Sequence, residues 1–150
     1  MRIVIQRVAQ ASVTIDKQIH SSIEAGLLVL LGIEDEDTEE DINYLVQKLC
    51  NMRIFSDEEG KMNLDVKQIK GKILIVSQFT LHASAKKGNR PSFIKAARPE
   101  KAIPLYETFI RETSFISGKA CKSGVFGADM QLALINDGPV TIILDSKNKE

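Results

Sequence analysis

The chain contains no tryptophan, and aromatic residues make up only 5% of its 150 residues. Its 20 basic and 20 acidic residues give a formal net charge of zero. The core must therefore be mainly aliphatic, and the composition does not indicate a surface that binds polyanions everywhere. Any contact with nucleic acid has to come from a local basic patch.

Cysteine and histidine are also scarce, with two of each. Cys50 and Cys121 lie far apart in apolar stretches, which favours buried thiols in a reducing cytoplasm over a disulfide framework. His20 and His82 have no ligand-like spacing to other possible metal ligands, so we expect no metal and no cofactor. Each histidine is interpreted as a surface or hydrogen-bonded residue, although a lone histidine can serve as a base.

Long hydrophobic runs are missing as well. The longest apolar run, residues 27–31, is far too short to cross a bilayer, and the opening MRIVIQRV lacks the apolar core of a signal peptide. We therefore expect a cytoplasmic protein with no membrane partner. The GxSxG elbow and the P-loop are absent too, so neither a typical serine hydrolase nor a P-loop NTPase is indicated.

Hydrophobic patterning predicts a largely antiparallel sheet. The run GLLVLLG, residues 26–32, is apolar throughout and bounded by glycines, which is typical of a strand buried on both faces. The run ILIVSQFTL, residues 73–81, gives the strongest strand signal. Turns are predicted at residues 16–17 and 57–60. The other predicted strands cover residues 3–8, 12–15, 19–23, 130–135 and 140–144.

Two main helices complete the predicted fold, a single α+β domain over residues 1–150. Thr38 can cap the first helix with Asp41 as its capping-box partner, so the acidic run 34–41 is interpreted as a solvated helix start rather than a cation site. The second helix is predicted to begin near Pro99, a residue that suits the first helical position. Its predicted apolar face consists of Ile103, Tyr106, Phe109 and Ile110.

The polar end of the 73–81 strand is the first candidate site. Ser77, Gln78 and Thr80 offer hydroxyl and amide groups that can orient a substrate. The backbone N–H groups of Phe79 and Thr80 can serve as oxyanion-hole donors if the strand end is unpaired. The alternative is an exposed strand terminus with polar caps.

The second candidate site is the Gly-Pro segment, residues 136–140, which lies between two β-like stretches. Pro139 cannot donate to a sheet ladder, so it requires a bulge, an edge or a turn. From spacing alone, a plain hairpin turn at Asp137 and Gly138 is the favoured interpretation.

The third candidate is the basic loop, residues 82–99, which carries five cationic side chains and no acidic one. Such a patch can bind phosphates in a salt-sensitive way, although lysine-rich solvated loops are also common. Its turn-forming Gly88 and Pro91 predict a shaped loop. The cationic residues are Lys86, Lys87, Arg90, Lys95 and Arg98.

Together these segments resemble the D-aminoacyl-tRNA deacylases, also called D-tyrosyl-tRNA deacylases, over nearly the entire chain. The pairing of SQFTL with NDGPVT, in this order and at this separation, is highly specific for the family. His82 and Asn89 stand where many members have other residues, but both lie outside these two motifs. The remaining matching segments are MRIVIQRV, GLLVLLGI, RIF, GKMNLD, KGNRPSF, FGADMQ and NDGPVTIILD.

The resemblance implies a homodimeric hydrolase that cleaves the ester bond of D-aminoacyl-tRNA, with no cofactor and no DNA partner. It implies active sites at the subunit interface, where the Gly138-Pro139 bond is cis and reaches from one subunit into the pocket of the other. Lys86, Lys87 and Arg90 become candidates for contact with the tRNA backbone. The implied lining of the aminoacyl-adenosine site is Ser77, Gln78, Phe79 and Thr80.

So sparse a site suits this reaction, because an aminoacyl ester is already activated and its neighbouring ribose hydroxyl can assist. A rigid Gly138-Pro139 carbonyl pair can accept hydrogen bonds from the substrate ammonium while leaving no room for an L side chain. Glycyl-tRNA, which has no side chain to exclude, is an expected second substrate. From the residues alone, two other functions stay open: a non-catalytic RNA-binding module, and a hydrolase with Thr80 as its nucleophile.

Overall fold

The structure, a computed structural model, describes residues 1–149. These residues form one mixed sheet, a small separate hairpin and two helices, which confirms the predicted α+β class. In chain order the elements are β1 (Arg2–Ile15), β2 (Gln18–Ile23), β3 (Gly26–Gly32), α1 (Glu39–Asn51), β4 (Phe55–Ser56), β5 (Met62–Leu64), β6 (Lys72–Ser77), a 3-10 turn (Phe79–His82), α2 (Pro99–Ser117), β7 (Lys122–Ser123) and β8 (Gln131–Asp145).

The main sheet is ordered β2-β1-β3-β6-β7. Strand β8 stands outside this order and pairs with β1. Its pairs are antiparallel except β3–β6 and β6–β7, which are parallel. The two strands predicted within residues 3–15 are one strand. The reason is that β1 has two register irregularities opposite β8, between Gln6 and Val8 and between Val8 and Gln10. They shift the alternation of side chains between the two faces of the sheet without ending the strand.

Both predicted helices are present, and local sequence signals set their ends. Thr38 caps α1, with the Thr38 N–H donating to the Asp41 carboxylate at 2.8 Å. Helix α2 begins at Pro99, as predicted. Its predicted apolar face is only partly right, because Ile103 is 36% exposed. The buried stripe instead follows helical spacing through Ala102, Tyr106, Phe109 and Thr113.

The two faces of the sheet bury separate apolar clusters. One cluster lies under the helices and includes Val29 of β3 and Ile75 of β6, and the other lies on the opposite face and includes Leu28 and Leu74. Strand β3 is therefore buried on both faces, as predicted. No helix within residues 1–149 is long and apolar enough to span a membrane.

Strand β8 pairs with β1 on both sides of the Gly-Pro segment, so the favoured interpretation of a hairpin turn there is wrong. Residues 137–140 instead bulge out of the ladder, because Gln6 pairs with Thr141 and Val8 pairs with Asn136. The strand tolerates Pro139 because Pro139 lies in this bulge, where no ladder hydrogen bond requires an N–H. The Gly138-Pro139 peptide bond is cis, as the family resemblance implied.

Candidate active site

The segment SQFT forms a turn at the end of β6, which we call the SQFT turn (residues 77–80). The predicted strand over residues 73–81 is therefore too long, because β6 ends at Ser77. The Gln78 N–H still donates to Leu31 O at 2.8 Å, and the chain then enters the 3-10 turn. The Leu81 N–H donates back to Gln78 O at 3.2 Å, which closes that turn.

This change of direction leaves two backbone donors unused. Within residues 1–149, neither the Phe79 nor the Thr80 N–H donates a hydrogen bond. The cause is general, since the first N–H groups of a helical turn have no partner within it. The Phe79 side chain is also 55% exposed. Both N–H groups lie just past the paired end of β6, and their role as oxyanion-hole donors stays a prediction.

A cleft of about 300 Å³ opens beside the SQFT turn. Its walls come from β3, β6, α2, the segment before β8 and the start of β8, and they are mainly apolar. Polar groups enter from Ser77, Gln78 and Asp129. The other lining residues are Leu31, Ile33, Val76, Phe79, Ala97, Ala102, Phe126, Gly127, Ala128, Met130 and Leu132.

Neither the Thr80 hydroxyl nor the Tyr106 hydroxyl, both close to this cleft, is hydrogen-bonded to a carboxylate or a histidine within residues 1–149. The Gln78 side-chain amide donates to the Thr80 hydroxyl oxygen, and an amide cannot remove a proton. Tyr106, whose ring contacts Phe126 at 5.9 Å between centroids, donates its hydroxyl to Ile75 O. Burial raises the pKa of Tyr106 to about 12, so this hydroxyl stays protonated.

Arg2, which the sequence did not single out, holds the far end of the turn. Arg2 Nη1 donates to Leu81 O at 2.8 Å, while Arg2 Nη2 binds the Asp145 carboxylate at 2.8 Å. His82 is buried, its Nδ1 lies 3.1 Å from Glu34 Oε1, and its Nε2 has no partner within residues 1–149. The expectation of a hydrogen-bonded histidine therefore holds at one nitrogen. His20 is exposed, as expected.

The Gly-Pro segment is fixed by other contacts of its own chain. Arg7 Nε donates to Asp137 O at 3.0 Å, and Arg7 Nη1 donates to Ile54 O at 2.7 Å. The Asn136 amide donates to Arg7 O at 3.0 Å and to Val140 O at 2.9 Å. The segment is therefore held rigidly, while Gly138 and Pro139 themselves are exposed.

The two predicted halves of the site do not meet within one chain. Leu132 lines the cleft and pairs with Val13 of β1, whereas Pro139 lies in the bulge opposite Arg7, six residues farther along β1. At about 3.3 Å per residue this distance is roughly 20 Å. Gly138 and Pro139 accordingly do not line the cleft.

The basic loop lies next to the SQFT turn. Ser84 and Ser92 exchange two backbone hydrogen bonds of 2.8 and 2.9 Å, which close a small hairpin between them. The tip of that hairpin exposes Lys86, Lys87 and Arg90, none of which has a carboxylate partner within residues 1–149. Their contact with tRNA stays a prediction.

The remaining scarce residues form no further centre in the described chain. No group of three His, Cys, Asp or Glu side chains within residues 1–149 could hold a metal ion. Cys50 and Cys121 are both free thiols, and burial raises the pKa of Cys50 to about 12. Such a thiol is unreactive near neutral pH, in line with its expected structural role.

Known proteins match this chain over almost all of its length. The model of the D-Tyr-tRNA(Tyr) deacylase family matches residues 4–145. Proteins named D-aminoacyl-tRNA deacylase from Flavobacterium psychrophilum and Porphyromonas gingivalis are 61% and 62% identical over 150 residues, which is 100% of each chain compared.

Two solved structures share the fold. One, named "c-Myc DNA Unwinding Element Binding Protein", has a TM-score of 0.90 and 42% identity, and covers 97% of this chain and 98% of its own. The other, described as "Structural Analysis of a probable eukaryotic D-amino acid tRNA deacylase", has a TM-score of 0.81 over 95% and 97% of the two chains. At 21% identity the second likeness concerns the fold alone.

Proposed function

The chain belongs to the D-Tyr-tRNA(Tyr) deacylase family and hydrolyses the ester bond of D-aminoacyl-tRNA, and we propose that it does so without a side-chain nucleophile, at a site completed by a second copy of the chain. The observation that carries this proposal is the SQFT turn. It places the unpaired N–H groups of Phe79 and Thr80 beside a mainly apolar cleft. The Thr80 hydroxyl accepts a hydrogen bond from the Gln78 amide and is not bonded to a base within residues 1–149.

In the proposed reaction a water molecule attacks the ester carbonyl carbon. The negative charge that develops on the carbonyl oxygen is stabilised by the N–H groups of Phe79 and Thr80, and one such donor is typically worth about 100- to 1,000-fold in rate. The bond between the acyl carbon and the ribose oxygen then breaks, and that oxygen takes up a proton, with help from the neighbouring ribose hydroxyl. The products are the free D-amino acid and tRNA.

A second copy of the chain supplies the Gly-Pro segment in this proposal. Strand β8 is a long edge strand, and its exposed face carries Ile135, Pro139 and Ile143, the last 66% exposed. Open apolar edges of this kind invite pairing with another chain, and a two-fold axis lets both copies cover the same surface. The roughly 20 Å between Pro139 and the cleft of its own chain leaves the cleft of the partner as its place of action.

Chiral selection follows from what the Gly-Pro segment adds to the cleft. Its carbonyl groups accept hydrogen bonds from the substrate ammonium and occupy the space that an L side chain would need. A D side chain points away from this obstruction, and glycine has no side chain to exclude. We therefore include glycyl-tRNA among the substrates.

The basic loop binds the tRNA backbone in this scheme, beside the cleft that receives the aminoacyl end. Contacts with phosphates position a ligand but carry no identity, so the loop contributes affinity and the cleft contributes selectivity. Charged tRNA is made and used in the cytoplasm, which is the location we propose for the protein.

One structural relative is named for binding DNA, whereas we propose RNA as the nucleic-acid partner of this chain. Unpaired cations such as Lys86 and Arg90 attract any polyanion, so the difference has to arise at the terminal ribose that carries the ester in the substrate, since DNA has no ribose. Uncharged tRNA should inhibit hydrolysis at lower concentration than a DNA duplex of equal length and at equal salt. Equal inhibition by the duplex would contradict the assignment.

The deciding experiment measures amino-acid release from D-tyrosyl-tRNA, L-tyrosyl-tRNA and glycyl-tRNA by the purified protein. We expect cleavage of the first and third and sparing of the second, at rates that EDTA does not change. Equal cleavage of both tyrosyl enantiomers would contradict the chiral filter. Activity that EDTA abolishes and zinc restores would contradict the metal-free mechanism.

A further inference from the structure

We propose that Phe93 is a positioning residue, which couples binding of the tRNA backbone by the basic loop to the orientation of the SQFT turn through its ring contact with Phe79. This inference rests on the proposed roles of those two segments. Phe93 touches no reacting atom in it, and it acts only through Phe79.

The contact itself is specific in geometry. The Phe93 and Phe79 rings meet edge to face, with centroids 5.0 Å apart and planes at 76°. Aromatic pairs in this arrangement contribute about 0.5–1.5 kcal/mol beyond the area they bury. Phe79 is otherwise largely exposed, so this pair is the aromatic contact that holds its side chain within the described chain.

On one side of the contact lies the hairpin that carries the cations. Phe93 directly follows Ser92, whose two backbone bonds to Ser84 close that hairpin. Lys86, Lys87 and Arg90 lie between these serines. A displacement of the hairpin tip by bound tRNA is therefore transmitted to Phe93 through the paired backbone of Ser92.

On the other side of the contact lie the proposed oxyanion donors. Phe79 contributes one unpaired N–H itself, and Thr80 contributes the next. The strand preceding the turn and Arg2, which binds Leu81 O, hold the two ends of the turn. The exposed Phe79 ring between them is held by Phe93.

The benefit of such a coupling is kinetic. Binding energy from a remote part of a substrate raises kcat when it is used to orient the groups that act in the transition state. Here the phosphates of tRNA are the remote part. A substrate without a tRNA body should gain nothing from Phe93.

The test compares two substrates, D-tyrosyl-tRNA and D-tyrosyl-adenosine, the second of which has the ester but no tRNA body. For the wild-type protein we expect kcat on D-tyrosyl-tRNA to be about tenfold higher, because small errors of positioning cost up to about 100-fold in rate. Phe93→Ala should remove this difference, with kcat on D-tyrosyl-adenosine unchanged and KM for D-tyrosyl-tRNA within about twofold. Phe93→Tyr, which keeps the ring, should restore it.

Phe115→Ala is the matched control, because it makes the same change at an 82% exposed phenylalanine of α2, outside the basic loop. It should leave both rates unchanged. Phe93→Leu keeps the apolar volume without the ring, and it replaces the alanine variant in the comparison if a thermal melt shows that alanine destabilises the protein.

The proposal is overturned if the wild-type protein hydrolyses both substrates at the same kcat, or if the Phe93 variants lose the same factor on both. It is also overturned if the variants lose nothing. Failure of the proposed function looks different, because the wild-type protein would then show no preference for D-tyrosyl-tRNA over L-tyrosyl-tRNA.

Discussion

The SQFT turn and the Gly-Pro segment are held in opposite ways. The SQFT turn lies at the end of a buried strand, beside a cleft, and has backbone donors to spare. The Gly-Pro segment lies in the middle of an exposed edge strand, with Asn136 and Arg7 fixing it from its own chain and no cleft lined by it. In the proposed site the SQFT turn therefore provides the place for the substrate, and the Gly-Pro segment provides a rigid surface that enters the cleft of the other copy.

Gly138→Ala tests the rigid half and should have the largest effect. Gly138 has φ +127°, and an added Cβ would lie 2.8 Å from Arg7 Nη2 and 2.9 Å from Val140 Cγ2. We expect hydrolysis of D-tyrosyl-tRNA to fall by more than about 100-fold, since a displacement of about 1 Å is enough for that. The backbone strain should also lower the free energy of unfolding by about 1–3 kcal/mol in denaturant titrations.

Gly60→Ala is the control for that variant. Gly60 has φ +77° but no heavy atom within 4 Å of an added Cβ, so it suffers the strain without the collision. It should lose stability and keep its rate. A Gly138→Ala protein with a normal rate would remove the Gly-Pro segment from the site.

Mixing variants separates a shared site from one built within a single chain. Phe79→Pro damages only the cleft half and Gly138→Ala only the rigid half. In a 1:1 mixture whose subunits have exchanged, half of the proposed dimers contain one chain of each variant. One of the two sites in such a dimer combines the intact cleft of the Gly138→Ala chain with the intact Gly-Pro segment of the Phe79→Pro chain. About a quarter of the wild-type rate should therefore return. If the mixture is no more active than its components, the two segments act within one chain.

Phe79→Pro compared with Phe79→Ala tests the cleft half itself. Both changes remove the ring, but only proline removes the N–H, which bonds to nothing else within residues 1–149. Phe79 is the first residue of the 3-10 turn, a position that suits proline, and Gln78 before it has φ −144° and ψ 81°, outside the helical region that a following proline disfavours. We expect kcat of the proline variant to be about 100- to 1,000-fold below that of the alanine variant. Equal rates would show that the Phe79 N–H is not an oxyanion donor.

Local signals in the sequence were enough to predict the scaffold around the cleft. The capping box of Thr38, the proline at the start of α2 and the apolar β3 act over a few residues, and each was confirmed. The continuation of β8 past Pro139 was not predicted, because it depends on both halves of the strand pairing with β1 on either side of the bulge. That property belongs to the assembled sheet.

The contacts that anchor the two segments of the proposed site could not be predicted from sequence patterns. Arg2 binds Leu81 O from 79 positions away, and Arg7 binds Asp137 O from 130 positions away. In the sequence both arginines look like the polar positions of an amphipathic strand. Only the register of β1 between β3 and β8 gives them a role.

A smaller effect is expected at the basic loop, which lies outside both halves. Replacing Lys86, Lys87 and Arg90 with alanine should weaken tRNA binding and reduce the slope of log affinity against log salt by about 2 to 3. The ratio of D to L hydrolysis should survive, because phosphate contacts carry no chirality. Lys61→Ala, an exposed lysine paired with Glu59 on another loop, should leave the salt slope unchanged. A collapse of the D-over-L ratio would mean that the basic loop shapes the cleft.

The smallest effect is expected from Thr80→Ala, which removes a hydroxyl but keeps the backbone N–H. The bonding partner of that hydroxyl within residues 1–149 is the Gln78 amide, which cannot activate it as a nucleophile. Thr80→Ala and Thr80→Ser should therefore keep rates within a few-fold of each other and of the wild type. Mass spectrometry of protein quenched during turnover should find no acyl group on Thr80. A trapped ester at Thr80, or a serine variant that works while the alanine variant is inactive, would make the hydroxyl the nucleophile and the oxyanion donors its accessories.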